Sequence, residues 1–213
     1  MQVTEIFFSI QGESTFTGRP CIFVRLTACN LRCIWCDSEY TFTGGVKMSL
    51  EEVLARVGSY PCQLVEITGG EPMLQEKEVL PLCRALLDRG CQVLIETSGE
   101  RDLSHLPAEV IKIMDVKCPG SGEGGSFRMS NLDTLTPRDE VKFVLADRQD
   151  YDFTLSFLRE HALREKVNAV NLSPVFGSLN PRDLAEWMLA DGLDARLGMQ
   201  IHKFIWDPLA RGV

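Results

Sequence analysis

The sequence predicts an α/β chain folded as a partial, open TIM-like βα barrel of about six parallel strands. Three observations point there. Short β-rich runs alternate with helical stretches, the order that produces a parallel sheet with crossover helices. The polar and glycine motifs TGGEP, ETSGE, DVKCPG and SPVFG, together with a cysteine cluster, all fall directly after strands, and in βα barrels the loops at the C-terminal strand ends share one functional face. Finally, 213 residues are too few for a full eightfold barrel of ~250 residues.

Each element has its own signal. CIFVRLTA (Cys21 to Ala28) reads as the first strand. After the cysteines, SLEEVLARVG reads as a helix with Ser49 as N-cap and Glu52 three residues on, a capping box. LVEIT (Leu64 to Thr68) is the second strand, and a helix from about Gln75 to Arg89, closed by Gly90, leads to QVLIE (Gln92 to Glu96). VIKIMDV, EVKFVLA and VNAVNLS read as three further strands, with helices at Asp150 to Ala162 and Pro181 to Asp191; LGMQIHK reads as an added last strand. Pro119 to Ser130, rich in Gly and Ser, reads as a surface loop. Residues 1–213 form one expected domain, since 45% hydrophobic content is enough for a sizeable core.

Composition narrows the classes of function. A net charge of −8 provides no broad basic field for nucleic acid or an anionic membrane, so a small-molecule substrate is expected. No apolar run reaches the ~20 residues of a bilayer span, and Met1 to Ile10 lacks the order of a signal peptide, so a cytoplasmic protein is expected. The eight cysteines do not form a disulfide framework; in a reducing compartment, clustered cysteines bind metal or react. Cys21, Cys62, Cys83, Cys91 and Cys118 are dispersed and read as small buried hydrophobes.

The remaining three stand in CNLRCIWC, as Cys29, Cys33 and Cys36. C-x3-C-x2-C spacing can place thiolates on three corners of an iron–sulfur cubane, whose all-cysteine form takes a fourth Cys. None lies nearby in sequence, which leaves one iron open to another ligand. The competing reading is a zinc site, completed by Asp37 or a distant His202, since structural zinc takes four protein ligands.

The spacing, the aromatic Trp35 before the last Cys, and GGEP at 69–72 resemble the radical S-adenosylmethionine (SAM) superfamily. That resemblance implies a [4Fe-4S] cluster whose open iron chelates SAM and whose electron releases a 5′-deoxyadenosyl radical. Trp35 offers an apolar face beside the adenine, the backbone of Trp35, Cys36 and Asp37 can meet its edge, and Gly69-Gly70 let the backbone approach the methionine end.

EIFFSIQGES (Glu5 to Ser14), Arg25, Ser38 and MDVKCPGSGE together resemble the 7-carboxy-7-deazaguanine synthases, and the match runs on to QIHKFIW. The resemblance implies conversion of 6-carboxy-5,6,7,8-tetrahydropterin to 7-carboxy-7-deazaguanine by ring contraction with loss of ammonia, a carbon–nitrogen lyase step on the route to queuosine and related deazapurines. Carried over residue by residue, Ile10, Gln11 and Gly12 face the pterin edge, Arg25 offers a bidentate fork to the substrate carboxylate, and Thr68 touches substrate. Ser38 matches a Mg²⁺ position, which suits a hard oxygen ligand. Asp115, Val116 and Lys117, with Ser173, Pro174, Val175 and Phe176, match SAM-contacting stretches, and Glu13 and His202 are candidates to face the pocket.

Structural alternatives stand beside these roles: an internal salt bridge from Arg25 to a carboxylate such as Glu66, a turn-capping Ser38, a solvated Lys117 and an ordinary strand Thr68. An electron donor such as a flavodoxin and a homodimer that covers the sheet edges are the expected partners. Two other functions share part of the pattern: a radical SAM activase of a glycyl-radical partner, and a non-catalytic iron–sulfur redox module. The first does not need the QGE segment or Arg25, and the second would not bind SAM.

Overall fold

The computed structural model describes residues Met1 to Val213. Its nine strands are β1 (Gln2–Ile10), β2 (Pro20–Leu26), β3 (Val46–Lys47), β4 (Leu64–Gly69), β5 (Gln92–Thr97), β6 (Ile111–Asp115), β7 (Glu140–Leu145), β8 (Ala169–Pro174) and β9 (Arg196–Leu197). They form one sheet in the order β3-β1-β2-β4-β5-β6-β7-β8-β9. The run from β2 to β9 is parallel, while β1 pairs antiparallel with both β2 and β3. The sheet does not close on itself, the partial barrel that the motif placement predicts.

The helices are α1 (Leu50–Val57), α2 (Glu76–Asp88), α3 (Arg148–Glu160), the single turn α4 (Leu163–Lys166), α5 (Pro181–Ala190) and the single turn α6 (His202–Ile205). α1 starts at the expected capping box: Ser49 accepts from Glu52 N, and Glu52 reaches back to the Ser49 amide, satisfying two N–H groups that the helix cannot. α2 begins after a 3-10 turn at Pro72–Gln75, and Gly90 follows its C-terminus with φ +78°. The principal core lies between these helices and the outer face of the sheet, where Val24, Val65, Ile67, Val93 and Ile95 meet Val53, Leu82 and Leu86. A smaller apolar floor of Phe16, Cys21, Phe23, Leu64, Leu94, Ile111 and Ile113 covers the low end of the inner face.

Several expectations change. The N-terminal motif, legible only as a motif, lies largely on β1, a nine-residue strand that widens the sheet. LGMQIHK is not a strand: pairing stops after Leu197, and His202 begins the helical turn α6. Gly198 sits where a Cβ would come within 2.6 Å of the Ser173 hydroxyl, and its N–H still reaches Leu172 O, after which the chain lifts off the sheet. The Pro119 to Ser130 segment holds short 3-10 turns and is not all surface: Ser121 is fully buried, and its carbonyl accepts from the Ile34 amide in the cysteine loop. Cys21, Cys83 and Cys118 are buried as expected, whereas Cys62 and Cys91 are only partly so.

β1 carries a bulge. Its register against β2 runs Val3 to Leu26 and then Glu5 to Arg25, leaving Thr4 as the extra residue. Strict alternation would put Val3, Glu5 and Phe7 on one face. With the bulge, Val3 joins the outer core while Phe7 packs against the inner floor, the re-aiming that bulges produce.

Candidate active site

The C-terminal strand ends surround a cavity of about 850 Å³. It is entered by Ile10, Gln11, Gly12 and Glu13 from the β1–β2 loop, Arg25 from β2, Thr68, Gly69 and Gly70 from β4, and the whole cysteine loop from Cys29 to Ser38 except Asn30, Arg32 and Ile34. Asp115, Lys117, Val175, Phe176 and His202 line it too. Of the residues the sequence singled out, Val116, Ser173 and Pro174 do not. Val116 is 1% exposed and its N–H donates to Lys142 O, and Ser173 lies buried within β8 beside Gly198.

The cysteine loop is held by its neighbours. Ala28 enters it in the left-handed region, φ +81°, a conformation unusual for a residue with a Cβ. Its amide donates to Thr41 O (2.7 Å) and its carbonyl accepts from Glu71 N (2.9 Å). Gly70 lies so close that a Cβ there would stand 2.6 Å from Cys29 Cβ. Glu71 is fully buried and takes donors from Met73 N, Thr97 Oγ1, Ser98 N and Ser98 Oγ. GGEP therefore clamps the ends of β4 and β5 together and seats the cysteine loop on them.

Cys29, Cys33 and Cys36 are free thiols, each partly exposed at the cavity. Burial pushes the Cys29 and Cys33 thiols up, and each also feels the charge of a neighbouring thiol. No set of three His, Cys, Asp or Glu side chains converges on a single-ion site. Asp37 pairs with Lys203 (2.8 Å), and the His202 ring lies against Gly12, so neither completes a zinc site with the cysteines. Three soft sulfur donors from one loop, all lining one cavity, suit three corners of an iron–sulfur cluster, which would hold them as thiolates. The Ser38 carbonyl caps the Glu39–Thr41 turn, whereas its hydroxyl makes no cap bond and stands 3.7 Å from Cys36 Sγ. The hydroxyl therefore lines the cavity with the Cys36 thiol as its protein neighbour.

The cavity floor is charged, a feature sequence reasoning missed. Lys142 on β7 is 6% exposed and bridges Glu13 and Glu96, the latter at 2.6 Å. Glu66, 2% exposed, accepts from the Gln11 side-chain amide. Burial, with Glu96 and Glu13 nearby, raises the Glu66 carboxyl well above its ordinary range; Glu13 is also penalised by burial, but Lys142 pulls it below its own. Lys142 is held charged by Glu13 and Glu96 against the cost of burial. The signal was present as Glu66 in LVEIT, Glu96 in QVLIE, and Glu140 and Lys142 in EVKFVLA, since a charge in an apolar strand is seldom buried without a partner or a task.

Other assignments become specific. Lys117 is not a surface lysine: it pairs with Asp115 at 2.7 Å. Arg25 does form an internal salt bridge, but with Glu5 (Nε to Oε1, 2.9 Å) and not with Glu66. The Gln11 backbone is spent on the β1–β2 loop, its N–H donating to Arg19 O and its carbonyl accepting from Gly18 N, so of the QG pair only Gly12 keeps its amide free for a ligand. Burial lowers the His202 imidazole, which favours the neutral ring. Pro208 to Val213, Gln200 and Lys203 complete the lining, with Arg211 over the Tyr40 ring at 4.2 Å.

An open βα sheet with three cysteines of one loop lining a cavity at its C-terminal strand ends is the arrangement of a radical SAM protein, and residues 24–188 match the family model described as the Radical SAM superfamily. The chain belongs to that superfamily. At 59% identity over the full length of both chains it is similar to the 7-carboxy-7-deazaguanine synthase of Koribacter versatilis, and at 43%, over 100% of this chain and 97% of the other, to that of Chlorobaculum tepidum. Within the superfamily, then, the chain is a member of the 7-carboxy-7-deazaguanine synthase family. A crystal structure of QueE from Escherichia coli superposes with a TM-score of 0.78 at 27% identity, covering 93% of this chain and 92% of that one. SuiB from Streptococcus suis shares only the fold, with a TM-score of 0.59 at 12% identity over 83% of this chain and 48% of that one. No helix is long and apolar enough to cross a membrane.

Proposed function

We propose that this protein converts 6-carboxy-5,6,7,8-tetrahydropterin to 7-carboxy-7-deazaguanine, with loss of ammonia, in deazapurine biosynthesis. The observation that carries this reading is one cavity shared by the cysteine triplet, the free Gly12 amide and the Arg25 fork. Cys29, Cys33 and Cys36 would hold the [4Fe-4S] cluster, which with SAM supplies the 5′-deoxyadenosyl radical when bound. SAM would lie along Trp35 to Asp37, Gly70, and the Asp115 to Lys117 and Ser173 to Phe176 stretches, reaching the last two through Asp115, Lys117, Val175 and Phe176.

The chain's own contribution is placement, because position decides which hydrogen meets the radical carbon. Arg25 would take the substrate carboxylate, Gly12 N–H and Thr68 the ring, and Ser38 a magnesium ion bound through hard oxygens. Lys142 keeps Glu13 charged beneath the ring, ready to accept from the amino and ring N–H groups of a pterin. The roof formed by Gln200 to Lys203 would keep water from the intermediate.

The whole chain 1–213 would act as one domain, as a cytoplasmic homodimer reduced by a flavodoxin-like donor. Anaerobic incubation with SAM, reductant, magnesium and the carboxypterin tests the reading. A product lighter by one ammonia is expected, and its yield should fall on exhaustive removal of divalent metal. 5′-Deoxyadenosine without that product would leave only the superfamily assignment, and activity indifferent to divalent metal would remove the role of Ser38.

A further inference from the structure

The bulge at Thr4 sets Glu5 directly opposite Arg25. There Glu5 Oε1 accepts from Arg25 Nε (2.9 Å) and from the Tyr40 hydroxyl (2.8 Å). Both ion-pair side chains are about one-fifth exposed, at 20% each. The guanidinium also lies over the Phe7 ring, 5.7 Å from its centroid, and Phe7 in turn stacks on Phe23 at 4.9 Å. One bond fixes an edge of the group and one aromatic face limits its tilt.

A guanidinium has two edges that can grip a carboxylate in two-toothed fashion. Glu5 occupies the Nε side, and neither Nη1 nor Nη2 has an acceptor in the protein. The lysines of the cavity are already committed: Lys142 to Glu13 and Glu96, Lys117 to Asp115, Lys203 to Asp37. Arg211, stacked on Tyr40, is exposed, so Arg25 is the partly buried cavity cation that still presents a planar fork.

We propose that Glu5 is a positioning residue for the substrate carboxylate, holding Arg25 so that only its Nη1/Nη2 edge faces the cavity. The proposal rests on the reading that Arg25 receives that carboxylate. It makes a prediction opposite to the simplest electrostatic one: an acid beside the binding cation should weaken anion binding, yet its removal should weaken binding further, because the fork loses its direction.

The test compares wild type, Glu5→Ala, Glu5→Gln and Arg25→Lys in the reconstituted holoenzyme, with the carboxypterin as substrate and the tetrahydropterin lacking the carboxylate as competing ligand. Glu5→Ala is expected to raise KM for the carboxypterin about 10- to 100-fold, the scale of a misplaced binding group. kcat should change little, the pattern of lost uniform binding. Affinity for the carboxylate-free ligand should be unchanged, and Glu5→Gln should fall between. In cluster-free protein labelled with ¹⁵N-arginine, the slowly exchanging Arg25 Nε–H signal should be present in wild type and lost in Glu5→Ala. Glu5→Gln, close in size, keeps the test valid if Glu5→Ala melts early. A KM that stays or falls, equal losses for both ligands, or an unchanged Nε–H signal overturns the proposal. An unchanged KM in Arg25→Lys overturns it as well, by showing that the reading of Arg25 was the step that failed.

Discussion

On β4, Val65 and Ile67 turn outward into the helical core, whereas Leu64, Glu66 and Thr68 turn inward. The inward series changes from apolar to charged to hydroxyl on the way up the strand. Its neighbours repeat the change: Leu94 then Glu96 on β5, Ile113 then Asp115 on β6, Phe23 then Arg25 on β2. On these strands the outer face is apolar apart from Lys112 on β6, which pairs with Asp139; the inner face is layered. A period of two is all the backbone supplies, so what separates fold from site is how the chemistry of every second residue varies with height.

Substitutions that set one face against the other sharpen this contrast. Lys142→Met has the largest expected effect. It leaves Glu13 and Glu96 buried without their cation, a loss of ~3–5 kcal/mol. The orphaned carboxyls would then hold protons in the folded state that the unfolded chain releases, so the deficit should grow as pH rises through the carboxylate range. Urea denaturation at mildly acidic and mildly alkaline pH measures both, and an equal deficit at the two would contradict the pairing.

Leu82→Ala on the outer side should cost ~2–5 kcal/mol through its cavity, since Leu82 is fully buried, while KM of the folded fraction stays put. A changed KM would mean that the two faces are coupled.

The smallest effect is expected for Glu66→Gln, and its sign is opposite. Because burial, Glu96 and Glu13 raise the folded-state pKa of Glu66 above its ordinary 4.5, the native state binds the extra proton and wild-type stability declines as pH climbs past that value. Glu66→Gln removes this decline, so the variant should gain on wild type toward alkaline pH. Melting curves across that range that stay parallel would show Glu66 ionised from the start.

How much was legible follows the same division. The outer face and the parallel strands came from local patterns: hydrophobic runs of strand length, the Ser49–Glu52 box, Gly90 at a helix end. The cysteine loop was legible because its three ligands lie within eight consecutive residues of the sequence. Glu66, Glu96 and Lys142 were not, since each is a charge in a largely apolar strand and acquires meaning only when parallel pairing sets the strands at one height. The partner of Arg25 was misjudged for a related reason: whether Glu5 faces inward depends on the Thr4 bulge, and nothing in VTEIFF marks one. LGMQIHK failed as a strand because its apolar residues suit a helical turn over a cavity equally well.

The first loop and the last turn meet directly. Gln200 Nε2 donates to Glu13 Oε1 across 187 positions, Ile201 N–H donates to Gly12 O, and a side chain on Gly12 would collide with the His202 ring. A chain is made from its N-terminus onward, so the cysteines leave the ribosome long before the residues that roof their cavity. The nascent protein passes through a stage with its thiols accessible and its chamber open to solvent. Order of synthesis thereby sets when a radical can first be contained, only once the Gln200 to Lys203 roof has been added, while the thiols stay within reach of metal before and after.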